Sequence, residues 1–390
     1  MTQSASITDL EIETPAVSIS PVARTNLLGL TRPALEAYVA ELGGKPFRAR
    51  QLWSWVYKRG EGRFEHMTDL AKDFRAQLAE RAEVRLPEIV TTHLSTDGTC
   101  KWVLKADTAQ AYEMVFIPEP DRGTLCISSQ VGCALDCSFC STAQQGFNRN
   151  LSTAEIVGQV WLANHELAKM GYGANGERIV TNVVLMGMGE PLANFRNVVP
   201  ALRIFMDDLG FDLSRRRVTL STSGLVPQIY KLAEEVNVAL AVSLHAPNDE
   251  LRNELVPINR RHNIAELLEA CWHYIDEANG RSITFEYVML DGINDSLAHA
   301  RQLVHLLKGH PAKLNLIPFN PFPGTQYRRS PAPVIQRFRD ELIQRGVLAT
   351  TRRTRGDDID AACGQLAGRV IDRTTARLGD KTFGVAVVHS

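Results

Sequence analysis

The chain has 390 residues, 44% of them hydrophobic, and 43 Lys and Arg against 44 Asp and Glu leave a formal charge of −1. That length suggests one large domain with a smaller accessory one, and near-neutral charge excludes a uniformly basic nucleic-acid binder. There is no run of about 18 apolar residues and no basic stretch followed by an apolar one at Met1-Thr2-Gln3-Ser4-Ala5-Ser6, so no membrane role and a cytoplasmic location are expected.

Residues 1–22 are rich in Ser, Thr and Glu with Pro15 and Pro21, and are read as a disordered tail. Residues 23–88 form a small helical accessory domain, with helical patterns over 32–40, 49–59 and 69–81. Its Phe47, Arg48, Arg50, Trp53, Trp55, Tyr57 and Lys58 either pack as core or face RNA. Residues 89–122 read as a β extension, with strands over 91–104 and 111–117 and a turn at Asp107.

A different rhythm occupies residues 123–346. Apolar, β-branched runs over 125–129, 179–185, 217–222, 238–244, 283–289 and 314–318 alternate with helical patterns. Six β-then-α units imply a parallel sheet that curls, so the expected fold is α/β with a partial (βα)6 barrel like an incomplete TIM barrel. One helix is legible in detail: Ser152 and Glu155 make a capping box, Ile156, Val157, Val160 and Trp161 give an apolar face, and Gly171 stops it. Residues 347–390 are a C-terminal segment with a basic strand and a Gly/Asp/Ala-rich loop around Cys363.

The chemistry starts from Cys133, Cys137 and Cys140, spaced C-x3-C-x2-C. Three thiolates so close in sequence can hold three corners of a [4Fe-4S] cluster and leave one iron open. Structural zinc usually closes at four ligands, and no second Cys/His pair lies nearby. The odd total of seven cysteines likewise suits metal or redox chemistry in a reducing compartment. In β/α barrels the loops after the strand ends form the active site. Gly189 and Glu190 follow the second barrel strand, Ser221 ends the third, Ser243, Leu244 and His245 end the fourth, and Asn320 follows the sixth. Singly each is a turn or strand cap; together they can cradle an amino-acid group and a ribose. Short basic runs at 215–217, 260–262, 328–329 and 352–355 either track phosphates or are solvated faces.

The cysteine spacing, with Phe139 before the last cysteine, resembles that of the radical S-adenosylmethionine (SAM) enzymes, which implies SAM chelated to the open iron. The segments 122–133, 187–191, 243–247 and 356–366 resemble the RlmN family of RNA methyltransferases, and the resemblance runs from about Asn26 to Leu366. It implies formation of 2-methyladenosine in 23S rRNA and in tRNA 3′ to the anticodon, with two SAM per turnover and a flavodoxin-type electron donor. It implies further that Cys363 carries the methyl group, that Glu113 is the proton acceptor, and that Cys126 is the resolving thiol, forming a transient disulfide with Cys363. From position alone Cys126 also reads as a buried strand cysteine and Glu113 as a solvated strand carboxylate. Cys100 and Cys271 have no motif around them and read as structural. A monomer is expected. The rival readings are a Cfr-like methyltransferase acting at adenine C8 and a non-catalytic RNA-binding protein with an iron-sulfur or zinc centre.

Overall fold

The computed structural model describes residues 24–278, 280 and 282–373; the tail expected over 1–22 and the end of the C-terminal segment, 374–390, lie outside them. Strand β1 (Thr25–Asn26) leads into α1 (Arg32–Glu41) and α2 (Pro46–Trp53). Helix α2 opens on Pro46, whose fixed φ suits a first turn, and continues as a π-helical turn over Ser54–Lys58. After α3 (Lys72–Arg81), β2 (Ala82–Glu83) pairs parallel with β1. Trp53 and Tyr57 are buried with ring centroids 4.8 Å apart, so these aromatics are core; Phe47 is exposed, with Arg48 over its ring. The module is fastened to the barrel by two donors: Trp161 Nε1 to the Val56 carbonyl at 2.8 Å, and Arg32 Nε to Asp207 at 2.7 Å.

An antiparallel extension follows, built of β3 (Ile89–Leu94), β4 (Cys100–Lys105) and β5 (Ala111–Glu119). The single strand expected over 91–104 is two strands. Asp97 accepts from the Thr99 amide at 2.9 Å, and Gly98 takes a φ of +82°, so the segment between them turns back. Strand β5 pairs antiparallel with β6 (Arg122–Cys126), where the parallel series begins. A separate hairpin of β7 (Gln130–Gly132) and β8 (Phe147–Asn150) brackets the cysteine loop and the short α4 (Ser141–Gln144).

The barrel then runs through α5 (Thr153–Lys169), β9 (Asn182–Leu185), α6 (Phe195–Met206), β10 (Val218–Thr222), α7 (Val226–Glu235) and β11 (Ala239–Ser243). It continues with α8 (Asp249–Leu255), α9 (Ile264–Glu277), β12 (Ile283–Met289), α10 (Leu297–Leu307), β13 (Ala312–Pro318), α11 (Ala332–Gln344) and β14 (Leu348–Thr351). These strands form one open sheet in the order β14-β13-β12-β11-β10-β9-β6-β5-β4-β3, parallel from β14 to β6. The fold is α/β with a partial barrel, but the parallel series has seven strands rather than six. The seventh, β14, pairs parallel with β13 and has no second neighbour among the described residues; its Leu348 is exposed and it lacks the apolar run of an inner strand.

Helix α5 has the expected capping box: the Glu155 amide donates to Ser152 Oγ at 3.3 Å and the Ser152 amide to Glu155 Oε2 at 2.8 Å. Gly171 follows its end with a φ of +94°. Buried positions in α9, at Ile264, Leu267, Leu268, Cys271, Tyr274 and Ile275, recur every three to four residues and seat that helix on the sheet. Among the described residues no helix is long and apolar enough to cross a membrane.

Candidate active site

The cysteine loop hangs between β7 and β8 at the end of the first barrel strand. Its neck is closed by the Cys133 amide donating to the Gly146 carbonyl at 2.7 Å. Gly132 makes this approach possible, since a Cβ there would stand 2.0 Å from that same carbonyl oxygen. The loop is also held from outside: Ser138 N donates to Leu255 O at 3.2 Å and Ser141 N to Gly364 O at 2.9 Å. Tyr327 OH donates to Ser138 Oγ at 2.8 Å.

Cys133, Cys137 and Cys140 line one cavity of about 960 Å³ with Gly189, Glu190, Ser221, Ser243, His245, Asn320 and Cys363. Burial pushes the three thiols above the usual cysteine range, so thiolate ligation of a metal would release protons. Among the described residues no three His, Cys, Asp or Glu side chains form a ready-made single-ion site; the three thiols instead share a cavity wall. All seven cysteines are free thiols. Two buried thiols and one half-buried thiol on a cavity wall beside a polar rim fit a [4Fe-4S] cluster with a nucleoside-type ligand.

The rim is built by backbone approach and buried hydrogen bonds. Gly189 has a φ of +98°, and a Cβ there would meet the Gln130 side chain at 2.5 Å. The Glu190 amide donates to Gln130 Oε1 at 2.8 Å, while its carboxylate accepts from Leu192 N at 3.1 Å and Ser223 N at 2.8 Å. Burial lifts the Glu190 carboxyl to about 7 against these stabilising bonds. His245, with a φ of +57°, accepts from Val288 N through Nδ1 at 3.0 Å, which places the ring proton on Nε2. Burial pushes its pKa down to about 3, so the ring is neutral. Asn320 Nδ2 donates to the Cys363 carbonyl at 3.2 Å.

Leu244 is placed differently from its neighbours: its side chain is fully buried in the core, and its backbone amide donates to Glu286 O at 3.0 Å. Cys126 is also off the main cavity. It is buried at the end of β6, opposite Val115 of β5, and lines an adjoining cavity of about 480 Å³ with Arg352, Arg353, Arg355 and Cys363. Cys363 lines both spaces. Burial pushes the Cys126 thiol up to about 12, with the Cys363 thiol adding to the effect and Arg352 opposing it. Glu113 lines neither cavity. It is buried on the same face of β5 as Val115, beneath the C-terminal segment, where Oε2 accepts from Ala367 N at 3.2 Å and Oε1 lies 3.6 Å from Lys101 Nζ. Burial raises its carboxyl above the ordinary value while Lys101 acts to lower it.

The fully buried Arg252 carries the rim and was not legible in the sequence. Its guanidinium donates to Leu244 O at 3.1 Å, Ser223 O at 2.7 Å, Ser243 O at 3.0 Å and Asn259 Oδ1 at 2.8 Å, tying the ends of β10 and β11 together. Glu286 was also missed; it lines the main cavity from the middle of β12 and accepts from Asn315 at 2.8 Å. The only available signal was a charged residue inside an apolar run.

A parallel barrel with three thiols and a polar rim at its strand ends defines a cluster-and-cofactor site of the radical SAM class. Residues 127–304 match the radical SAM superfamily, and residues 25–84 match the ribosomal RNA large subunit methyltransferase N-terminal domain. The chain is similar to a radical SAM methyltransferase from Sphaerobacter thermophilus, known from a crystal structure: 45% identity, 88% of this chain and 99% of that chain covered, TM-score 0.81. A domain of pyruvate-formate lyase-activating enzyme from Bacteroides vulgatus ATCC 8482 matches at 17% identity over 44% of this chain and 99% of that one, with a TM-score of 0.32. The chain belongs to the radical SAM methyltransferases of the RlmN type.

Proposed function

We propose that the protein methylates C2 of adenosine in RNA, in 23S rRNA and in tRNA 3′ to the anticodon. Adenine C2 lies between two ring nitrogens and is electron-poor, so it does not attack an electrophilic methyl group directly. When bound, the cluster and SAM supply one-electron cleavage to a carbon radical, chemistry beyond any side chain. Cys133, Cys137 and Cys140 would hold the cluster, and Gly189, Glu190, Ser221, Ser243, His245 and Asn320 would hold SAM, while Leu244, whose amide and carbonyl are already paired, supports the rim from behind.

The observation that carries this reading is the position of Cys363 at the junction of two cavities, one shared with the cluster thiols and the other with Cys126. In the first Cys363 gives up its thiol proton and takes a methyl group from one SAM, which leaves as S-adenosylhomocysteine; in the second it shares the lining with Cys126. After the methyl carbon has joined C2, restoring the ring takes the loss of one electron, which the bound redox centre would take back, and of the C2 proton to Glu113; Glu113 lines neither cavity, so the segment over it at Ala367 has to shift for this transfer. Cys126, as thiolate, attacks the Cys363 sulfur, so that an S–S bond forms as the C–S bond breaks, and the departing carbon keeps the bonding pair and takes up a proton to become the 2-methyl group. An outside thiol then reduces the pair, and a flavodoxin-type protein supplies electrons. Arg352, Arg353 and Arg355 at the smaller cavity suit the phosphates of an incoming RNA, and the target base must leave its stack to enter.

The test is direct. Anaerobically reconstituted protein is incubated with SAM, reductant and an rRNA fragment, and the digested nucleosides are separated by mass spectrometry. The proposal expects 2-methyladenosine; 8-methyladenosine would give the Cfr-like activity, and unmodified RNA alongside intact cluster would sink the assignment.

A further inference from the structure

Residues 85–126 and those beyond 304 lie outside both family matches, which cover 25–84 and 127–304, and the segments 95–113 and 356–369 within them grip each other. At one end Ser95 Oγ donates to Asp358 Oδ1 at 2.6 Å, and the Gly356 amide donates to Asp97 Oδ2 at 3.2 Å. At the other end Ala111 and Arg369 exchange backbone bonds of 2.9 and 3.1 Å. Between these ends lies the loop with Cys363, and one buried ion pair touches both of its feet. Lys101 Nζ donates to the Asp360 carbonyl at 3.2 Å; the Ala367 amide donates to Glu113 Oε2 at 3.2 Å. Lys101 and Glu113 are 3.6 Å apart, an ion pair rather than a full hydrogen bond, and their side chains are only 9% and 8% exposed.

We propose that Lys101 is a positioning residue: by pairing with Glu113 and donating to Asp360 it holds the proton acceptor and the cysteine loop in one register. The proposal rests on the reading of Glu113 as proton acceptor and Cys363 as methyl carrier. Two charges taken out of water need each other, and removing one leaves the other uncompensated. The charged groups that act on Glu113 are Lys101 from β4 and His93 from β3; the loop contributes the neutral Ala367 amide. Without Lys101 the carboxyl keeps its burial penalty and loses its main counter-charge, so its pKa rises and less of it is ionised to accept a proton. The same change removes the donor that fixes Asp360.

The experiment uses full-length Lys101→Met and Lys101→Arg with two readouts. The first is hydrogen exchange of the Ala367 amide in the protein without RNA, expected at least tenfold faster in Lys101→Met and restored by Lys101→Arg. The second is the pH profile of 2-methyladenosine formation. Its acid limb should move up by about one pH unit in Lys101→Met, with the rate at neutral pH down about tenfold, and Lys101→Arg should restore both. Wild-type exchange together with a wild-type profile in Lys101→Met would overturn the proposal, as would an arginine variant no better than the methionine one. If the wild-type chain makes no 2-methyladenosine, the functional reading fails, while amide exchange still judges the clamp.

Discussion

The strand-end cavity and the C-terminal loop reach Cys363 by opposite constructions. The cavity is assembled from short local segments in which spacing itself carries the chemistry: three thiols within one loop, glycines that admit close backbone approach, and polar caps at successive strand ends. The C-terminal loop is held by side chains far away in the sequence, with Ser95 and Asp358 263 positions apart and Lys101 and Asp360 259 apart. A cofactor site can be written in motifs; a loop whose Cys363 lines two cavities is placed by long-range contacts.

The largest expected effect falls on the cavity. Replacing Cys133, Cys137 or Cys140 with Ala should abolish iron loading and 5′-deoxyadenosine formation, measured by iron content and by chromatography of the reaction mixture. A triple-Ala protein that still cleaved SAM would mean that these three thiols do not hold the cluster. On the other side, Gly368→Ala places a Cβ 2.1 Å from the Ala111 carbonyl oxygen and forces the loop off its seat. RNA methylation should fall by roughly a hundredfold, the scale on which misplacing a reacting group is felt, while iron content and SAM cleavage persist. Equal loss of all three would mean that cavity and loop are one unit.

Arg252→Met tests the rim itself. It takes a buried donor away from four acceptors, of which the Leu244 carbonyl keeps the Ala246 amide, and a loss of about 3 kcal/mol in unfolding free energy is expected from denaturant titration. The smallest effect lies outside both regions: Ser152→Ala removes the α5 cap and should cost about 1 kcal/mol with SAM cleavage unchanged.

The barrel was legible because its inner strands are buried on both faces and read as apolar runs, and because α5 announces its own start with a capping box. Strand β14 was legible as a basic strand but not as a seventh member of the barrel sheet, because an edge strand with polar, exposed positions lacks the apolar run of an inner one. The cluster thiols and the glycine-rich rim were readable from spacing, and the structure gathers them on one cavity. Arg252 was not, because a lone arginine in a short helix reads as surface until its four acceptors are seen. The turn at 95–99 was missed for a related reason: Ser, Thr, Asp and Gly there do double duty, reversing the chain and holding Asp358 and Gly356.

The account's central claim is that Cys363 works in both cavities and that Cys126 finishes the reaction from the second. Incubating Cys126→Ala with SAM, reductant and RNA, then digesting protein and RNA, tests it by mass spectrometry of the joined fragments. The account predicts a peptide containing Cys363 linked through one carbon to adenosine. Free methylated RNA with no adduct, or an adduct on a peptide lacking Cys363, would contradict it.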